Sequence, residues 1–139
     1  FLLEAGFKNI YIIDIAPEPL KNFQKRNKDF PTDQIILEDF FKHDGSYDVI
    51  VEQTFFCAIN PELRPNYVQK CHDLLNREGK IIGVLFDCPF EGGPPFGGNR
   101  KEYKTLFESR FEKVSVESSL NSIKPRIGNE VILRCEKQS

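Results

Sequence analysis

Residues 9–15 read NIYIIDI, and residues 47–52 read YDVIVE. Each is a short, nearly continuous apolar run with an acid at or next to its carboxyl end. Such runs are typical of strands buried on both faces, as in a parallel sheet. Leu20, Phe23 and Asn27 follow the first run at roughly helical spacing, with prolines in the first turn. The two runs therefore predict a sheet whose strands alternate with helices.

The rest of the chain continues this alternation. The pattern predicts further strands at residues 35–37, 80–86, 113–117 and 130–136, helices at residues 61–76 and 101–111, and the last turn of a helix before Gly6. A tight turn is expected at residues 77–79. Residues 89–99 are rich in glycine and proline, and their length favours a site loop within one domain. The order predicts one α/β domain, residues 1–139, with a mostly parallel sheet and a closing antiparallel hairpin.

Composition excludes several classes of function. The 139 residues include 19 basic and 21 acidic side chains, a net charge of −2, which argues against a general nucleic-acid or anionic-lipid partner. No apolar run is long enough to span a bilayer, and no signal peptide is visible, so we expect a cytoplasmic protein. The four cysteines lack metal or redox spacing and are expected to be free thiols, and no metal site is expected at His43 or His72.

Acids stand at the ends of three predicted strands, Asp14, Asp39 and Glu52. Ligands of open α/β sheets bind beyond the carboxyl ends of the strands. One carboxylate there suits a pair of ribose hydroxyls, and a second suits an exocyclic amino group, as on adenine. The apolar neighbours Ile15 and Phe40 suit packing on the base. Spacing alone leaves the site open, because acids at strand ends are also common as capping or solvated residues.

Longer strings carry a resemblance to a known family. In chain order they are IDIAP at 13–17, EDFF at 38–41, YDVIVEQTFFCA at 47–58, ELRP at 62–65, HDLL at 72–75, GGPPF at 92–96 and NSIKPR at 121–126. Together they resemble the thiopurine S-methyltransferase-like family, above all its bacterial and plant thiol and halide methyltransferase branch. The resemblance covers essentially the whole chain. It implies a Rossmann-like class I methyltransferase fold.

The resemblance also implies a cofactor, S-adenosyl-L-methionine, with S-adenosyl-L-homocysteine as the product. By family analogy, Asp14 holds the ribose hydroxyls and Ile15 lies against the adenosine. Asp39 and Phe40 hold and flank the adenine. Gln53 occupies a position where relatives contact the cofactor, often through a tyrosine, so its role departs from the family pattern.

The acceptor implied by the family is a small thiol, a halide or a similar soft nucleophile. Such an acceptor needs alignment and exclusion of water more than a general base, so no residue is assigned a certain catalytic role. The candidates for the acceptor pocket are Phe55, Phe56, Phe86, Phe90, Phe96 and Arg126, covered by the loop at 91–98. Arg126 is a candidate to attract an anionic acceptor. Glu52 is expected to orient groups or to accept a backbone hydrogen bond. The identity of the acceptor and the oligomeric state stay open.

One family feature is absent. The glycine-rich motif between the family's first strand and first helix does not occur, and the chain contains no methionine. We therefore expect an N-terminally truncated chain, with further residues upstream in the natural protein. Without the central strand, its two neighbours would have unpaired edges, which carry unsatisfied backbone groups.

Three alternatives belong to other classes. A methyltransferase acting on an amino group of DNA would be expected to show Asn or Asp followed by Pro-Pro and an aromatic residue after Glu52, where this chain reads QTFF. A nicotinamide-dependent dehydrogenase would be expected to show a Gly-x-Gly-x-x-Gly string, which is not visible. A truncated or degenerate nucleoside-binding module without catalytic activity stays open.

Overall fold

The computed structural model of the protein describes residues 1–138. They form two compact units, the first of residues 1–44 and the second beginning at Gly45. One sheet has two strands and the other has four. Across the described residues, no helix is both long enough and apolar enough to cross a membrane.

The first unit contains a parallel strand–helix–strand arrangement. Its elements are β1 (Ile12–Asp14), α1 (Pro17–Arg26) and β2 (Ile35–Leu37). β1 is shorter than the predicted strand at 9–15, because β2 offers only three residues for pairing. The predicted helical turn before Gly6 is a hydrogen-bonded turn in which Ala5 N–H donates to the Phe1 carbonyl. Gly6 has a φ of +94°, which a residue without Cβ adopts readily.

The second unit contains a four-stranded sheet and two helices. Its elements are β3 (Tyr47–Gln53), α2 (Arg64–Leu74), β4 (Leu75–Phe86), α3 (Arg100–Glu108), β5 (Lys113–Ser118) and β6 (Glu130–Glu136). The strand order is β3-β4-β6-β5. β3 and β4 are parallel, and β6 runs antiparallel to both β4 and β5. The predicted closing antiparallel pair is therefore confirmed.

The predicted bounds of β4, α2 and α3 are wrong. β4 begins at Leu75 rather than at residue 80, and the turn predicted at 77–79 falls at a bulge within it, where Glu78 has a φ of +62° and pairing with β3 jumps from Leu75 to Lys80. α2 begins later than predicted because the 3₁₀ turn Pro61–Leu63 precedes it, and it ends at Leu74 because the chain passes directly into β4. α3 ends at Glu108, three residues earlier than predicted.

The two faces of the larger sheet differ in burial. Ile81, Leu85 and Leu133 point to a face on which they are at most 3% exposed, together with buried residues of α2 and α3. On the other face, Val49, Val51 and Ile82 are 48%, 69% and 44% exposed. Among the described residues, β1 and β3 are edge strands of their sheets.

Candidate functional site

Two aspartates lie at or just after the strand ends of the first unit. Asp14 ends β1, and its Oδ1 accepts a hydrogen bond of 2.8 Å from the Ala16 backbone N–H. Asp39 follows β2, and its Oδ1 accepts one of 2.9 Å from the Phe41 N–H. Each side chain thus stabilises a turn two residues ahead. No described residue donates to the second carboxylate oxygen of either aspartate, so each keeps an acceptor for a ligand.

The apolar partners proposed for these aspartates differ in burial. Ile15 is 68% exposed, directly after Asp14. Phe40 is half-buried and lies edge-on to Phe41, with ring centroids 5.6 Å apart. Next to them, His43 Nδ1 lies 2.7 Å from Glu38 Oε2 and pins the chain after Asp39. An exposed aliphatic side chain and a half-buried aromatic ring thus lie next to the two half-buried aspartates at the strand ends of this unit.

Glu52 organises the strand end in the second unit. Its Oε1 accepts hydrogen bonds from the N–H groups of Phe55 and Phe56, at 3.0 and 2.9 Å. Its Oε2 accepts one of 2.7 Å from the hydroxyl of Tyr67. Burial raises the pKa of Glu52, and this effect outweighs the three hydrogen bonds, which lower it. The predicted role of Glu52 in orienting its neighbours and accepting backbone hydrogen bonds is confirmed.

The turn that Glu52 holds is strained. Thr54 has a φ of +65°, a conformation that a β-branched residue rarely adopts. Such a residue costs on the order of 1–3 kcal/mol and persists only where surrounding contacts impose it. The two amide hydrogen bonds to Glu52 come directly after Thr54 and impose it here. Gly83, opposite Glu52 on β4, makes room for the glutamate, since a Cβ there would lie 3.0 Å from the Glu52 Cβ.

A pocket opens beside this turn. Its empty volume is about 320 Å³, which includes open solvent at its mouth. Its lining includes Glu52, Phe56, Phe86, Tyr103, Arg126 and Glu130. Gln53 and Cys57 also line it. Burial first, and then the charge of Glu52, raise the pKa of the Cys57 thiol, so this thiol stays protonated at neutral pH.

Arg126 is the cationic side chain in the pocket wall. Its Nη1 lies 3.3 Å from Glu130 Oε1, and its guanidinium carbon lies 5.2 Å from the ring centroid of Phe86. Glu130 is only 8% exposed. The ion pair and the ring orient the guanidinium in the pocket lining, and the Arg126 side chain stays 36% exposed.

The structure brings only some of the predicted site residues together. Gln53, Phe56, Phe86 and Arg126 share the pocket. Three further phenylalanines from the list of candidates lie outside its lining, Phe55 against the Tyr67 ring, Phe90 edge-on to Phe86, and Phe96 with its N–H on the Cys57 carbonyl. Asp14, Ile15, Asp39 and Phe40 belong to the first unit.

Sequence reasoning missed four residues of the site, Arg64, Tyr67, Tyr103 and Glu130. A signal existed for Tyr67, which precedes the buried Val68 and lies one turn before Cys71 on the same face of α2. None existed for Arg64, because arginine is mostly exposed and long-range partners decide its burial. All four cysteines are free, and the described residues contain no cluster of three or more side chains able to hold a metal ion.

Comparison with a family model finds a match over most of the chain. The model described as thiopurine S-methyltransferase matches residues 7–137. Three curated relatives are similar. A probable thiol methyltransferase 2 of Arabidopsis thaliana is 30% identical over 95% of this chain and 62% of its own length. A thiocyanate methyltransferase 1 of Brassica oleracea is 33% identical over 73% of this chain and 47% of its own length. A thiopurine S-methyltransferase of Vibrio vulnificus is 29% identical over 75% of this chain and 49% of its own length. The chain thus spans between about half and three fifths of these relatives.

Solved structures share the fold at low sequence identity. A 1,6-didemethyltoxoflavin-N1-methyltransferase of Burkholderia thailandensis, solved with bound 1,6-didemethyltoxoflavin and S-adenosylhomocysteine, has a TM-score of 0.71 at 16% identity, over 99% of this chain and 64% of its own. A magnesium protoporphyrin IX methyltransferase of Synechocystis, solved with bound SAM, has a TM-score of 0.73 at 15% identity, over 99% and 62%. These likenesses confirm the predicted Rossmann-like class I methyltransferase fold.

Proposed function

This chain belongs to the thiopurine S-methyltransferase family, and from that membership we propose that it transfers a methyl group from S-adenosyl-L-methionine to a small soft nucleophile such as a thiol, thiocyanate or a halide. The observation that carries the proposal is the family match, which runs through both units from residue 7 to residue 137. For the same reason we propose that the two units belong to one catalytic domain.

The residues of the first unit fit the adenosine part of the cofactor. Asp14 and Asp39 each use one carboxylate oxygen to stabilise a turn and keep the other as an acceptor. Ribose hydroxyls and the adenine amino group are donors that need such acceptors. Ile15, at 68% exposed, offers an apolar surface for the base, and Phe40, in the 3₁₀ turn after β2, is proposed to flank the base. Gln53, exposed at the end of β3, is proposed as a further contact.

The bound cofactor supplies a methyl group on a sulfonium and leaves as S-adenosyl-L-homocysteine, so it carries the hard part of the chemistry. The chain's own residues need only align the acceptor and exclude water. The pocket of the second unit suits this task, because Phe56, Phe86 and Tyr103 supply aromatic walls. Arg126 attracts an anionic acceptor, and its ion pair with Glu130 keeps it in place.

Titration calorimetry and a methyl-transfer assay test this function on the purified protein. S-adenosyl-L-homocysteine is expected to bind with one-to-one stoichiometry. Methylated product is expected from hydrosulfide, thiocyanate or iodide, followed by mass spectrometry of the headspace. Binding without transfer to any of these acceptors would favour the non-catalytic nucleoside-binding module. Absence of binding would overturn the methyltransferase proposal altogether.

A further inference from the structure

Arg64 is a buried cation outside the set of predicted site residues. It is the first residue of α2, and its side chain is 4% exposed. Its Nη1 donates to Glu102 Oε1 at 3.0 Å, and its Nη2 donates to the Gly97 carbonyl at 2.9 Å. A buried guanidinium is costly unless such partners compensate its lost hydration. The chain therefore maintains this charge with partners more than thirty residues away in sequence.

The guanidinium of Arg64 lies behind the pocket wall. Its carbon atom is 4.7 Å from the ring centroid of Phe56 and 5.8 Å from that of Tyr103. Both rings line the pocket, whereas Arg64 does not. The Tyr103 hydroxyl in turn donates to the carbonyl of Phe86, a third pocket residue. One side chain thus stacks on two of the three aromatic residues that shape the pocket and reaches the third through one hydrogen bond.

Arg64 also fixes the base of the glycine- and proline-rich loop. Beside its contact with Gly97, the Phe96 N–H donates to the Cys57 carbonyl at 2.7 Å, and the Gly98 N–H donates to the Cys88 carbonyl at 3.1 Å. A Cβ at Gly97 would clash with the Cys88 carbonyl oxygen, so the two ends of the loop are in direct contact at Cys88 and Gly97. Cys57 lines the pocket. The loop base and the pocket wall are therefore held by one set of contacts with Arg64 at its centre.

We propose that Arg64 is a positioning residue for the methyl acceptor, which sets the aromatic wall of the pocket and the loop base without touching the acceptor itself. This inference rests on the proposed function. Loss of the contacts to Glu102 and Gly97 frees the rings of Phe56 and Tyr103 to shift. A misplaced wall weakens acceptor binding. It leaves the carboxylates of the first unit, and with them cofactor affinity, unchanged.

Two variants on α3 form a matched pair for the kinetic test. Glu102→Gln removes the charge that compensates Arg64, and Glu102 is half exposed, so the helix tolerates the change. Glu108→Gln is the control, because Glu108 pairs with the exposed Lys104 at 3.8 Å on the same helix. Glu102→Gln is expected to raise the acceptor KM about tenfold with kcat and the Kd of S-adenosyl-L-homocysteine within about twofold. Glu108→Gln is expected to change none of the three. Equal kinetics for the two variants, in an active wild type, would overturn the inference.

A second measurement is independent of activity. Arg64→Lys keeps the charge but loses the planar fork that reaches two acceptors at once. Hydrogen exchange of the Phe96 and Gly98 amides is expected to become about tenfold faster in this variant, while the amides of β6 keep their protection. Unchanged exchange at these amides would overturn the inference whatever the activity. A wild type that binds no S-adenosyl-L-homocysteine would instead refute the proposed function, and with it the acceptor role of Arg64.

Discussion

The hydroxyl of Tyr67 donates a hydrogen bond of 2.7 Å to Glu52 Oε2 and thereby joins α2 to the end of β3. Both partners are buried, Tyr67 to 1% exposed and Glu52 to 4%. The other carboxylate oxygen of Glu52 holds the turn that begins at the strained Thr54. The shape of the pocket wall thus depends on a carboxylate that the tyrosine orients from behind.

Tyr67→Phe is expected to destabilise the fold by about 2 kcal/mol at pH values where Glu52 is ionised, because a hydrogen bond to a charged group is lost. Tyr103→Phe is the matched comparison, since its hydroxyl donates to the neutral carbonyl of Phe86. It is expected to cost about 1 kcal/mol. Urea unfolding monitored by circular dichroism measures both. An equal or larger loss for Tyr103→Phe would contradict the assignment.

Glu52→Gln is expected to change the pH dependence of stability. Burial raises the pKa of Glu52 above its ordinary value of 4.5. The contribution of the neutral Glu52 carboxyl to the stability of the fold is therefore fully present below that value, and it is lost as the pH rises through the raised pKa. The glutamine does not ionise, so the free energy of unfolding of wild type should fall relative to the variant as the pH rises from the ordinary value of 4.5 through the raised pKa of Glu52. Urea unfolding across this range is the measurement, and a constant difference would refute the raised pKa.

Asp14→Asn is expected to weaken the affinity for S-adenosyl-L-homocysteine about tenfold, because a ribose hydroxyl loses a charged acceptor. The amide oxygen still accepts from the Ala16 N–H, so the turn after β1 is kept. Asp33→Asn is the control, since Asp33 is an exposed acid in the same unit. Titration calorimetry compares the variants. Equal affinities for both would remove Asp14 from the cofactor site.

Arg126→Gln is expected to raise the KM for thiocyanate or hydrosulfide about tenfold and to weaken its dependence on ionic strength. The glutamine removes the charge but keeps a side-chain N–H donor at this position. Lys124→Gln is the control, because Lys124 is an exposed cation in the same loop. Steady-state kinetics at two salt concentrations decides the point. An identical rise in KM in both variants would mean that only the overall positive charge of the loop matters, and not the position of Arg126.

The local sequence pattern predicted most of the strands and helices of this chain. Short apolar runs with acids at their ends predicted β1, β2 and β3, and the last two apolar segments predicted the antiparallel pair β5 and β6. The same pattern found the acids, because each acid lies at or within two residues of the end of its strand. Boundaries were less accurate, as at β4, where the local pattern marked the turn at 77–79 but not the pairing of Leu75 before it.

The composition of the pocket required the folded chain. The sequence offered six candidate phenylalanine and arginine side chains without ranking them, and packing selected Phe56, Phe86 and Arg126 for the lining. Arg64 and Gly97 are 33 residues apart in the chain, and Glu52 and Tyr67 are 15 apart. Residue types and their period determine which segments become strands and helices, since those preferences are local. Which side chains share a pocket depends on how helices pack on a sheet, and that packing brings together residues between which the sequence shows no pattern.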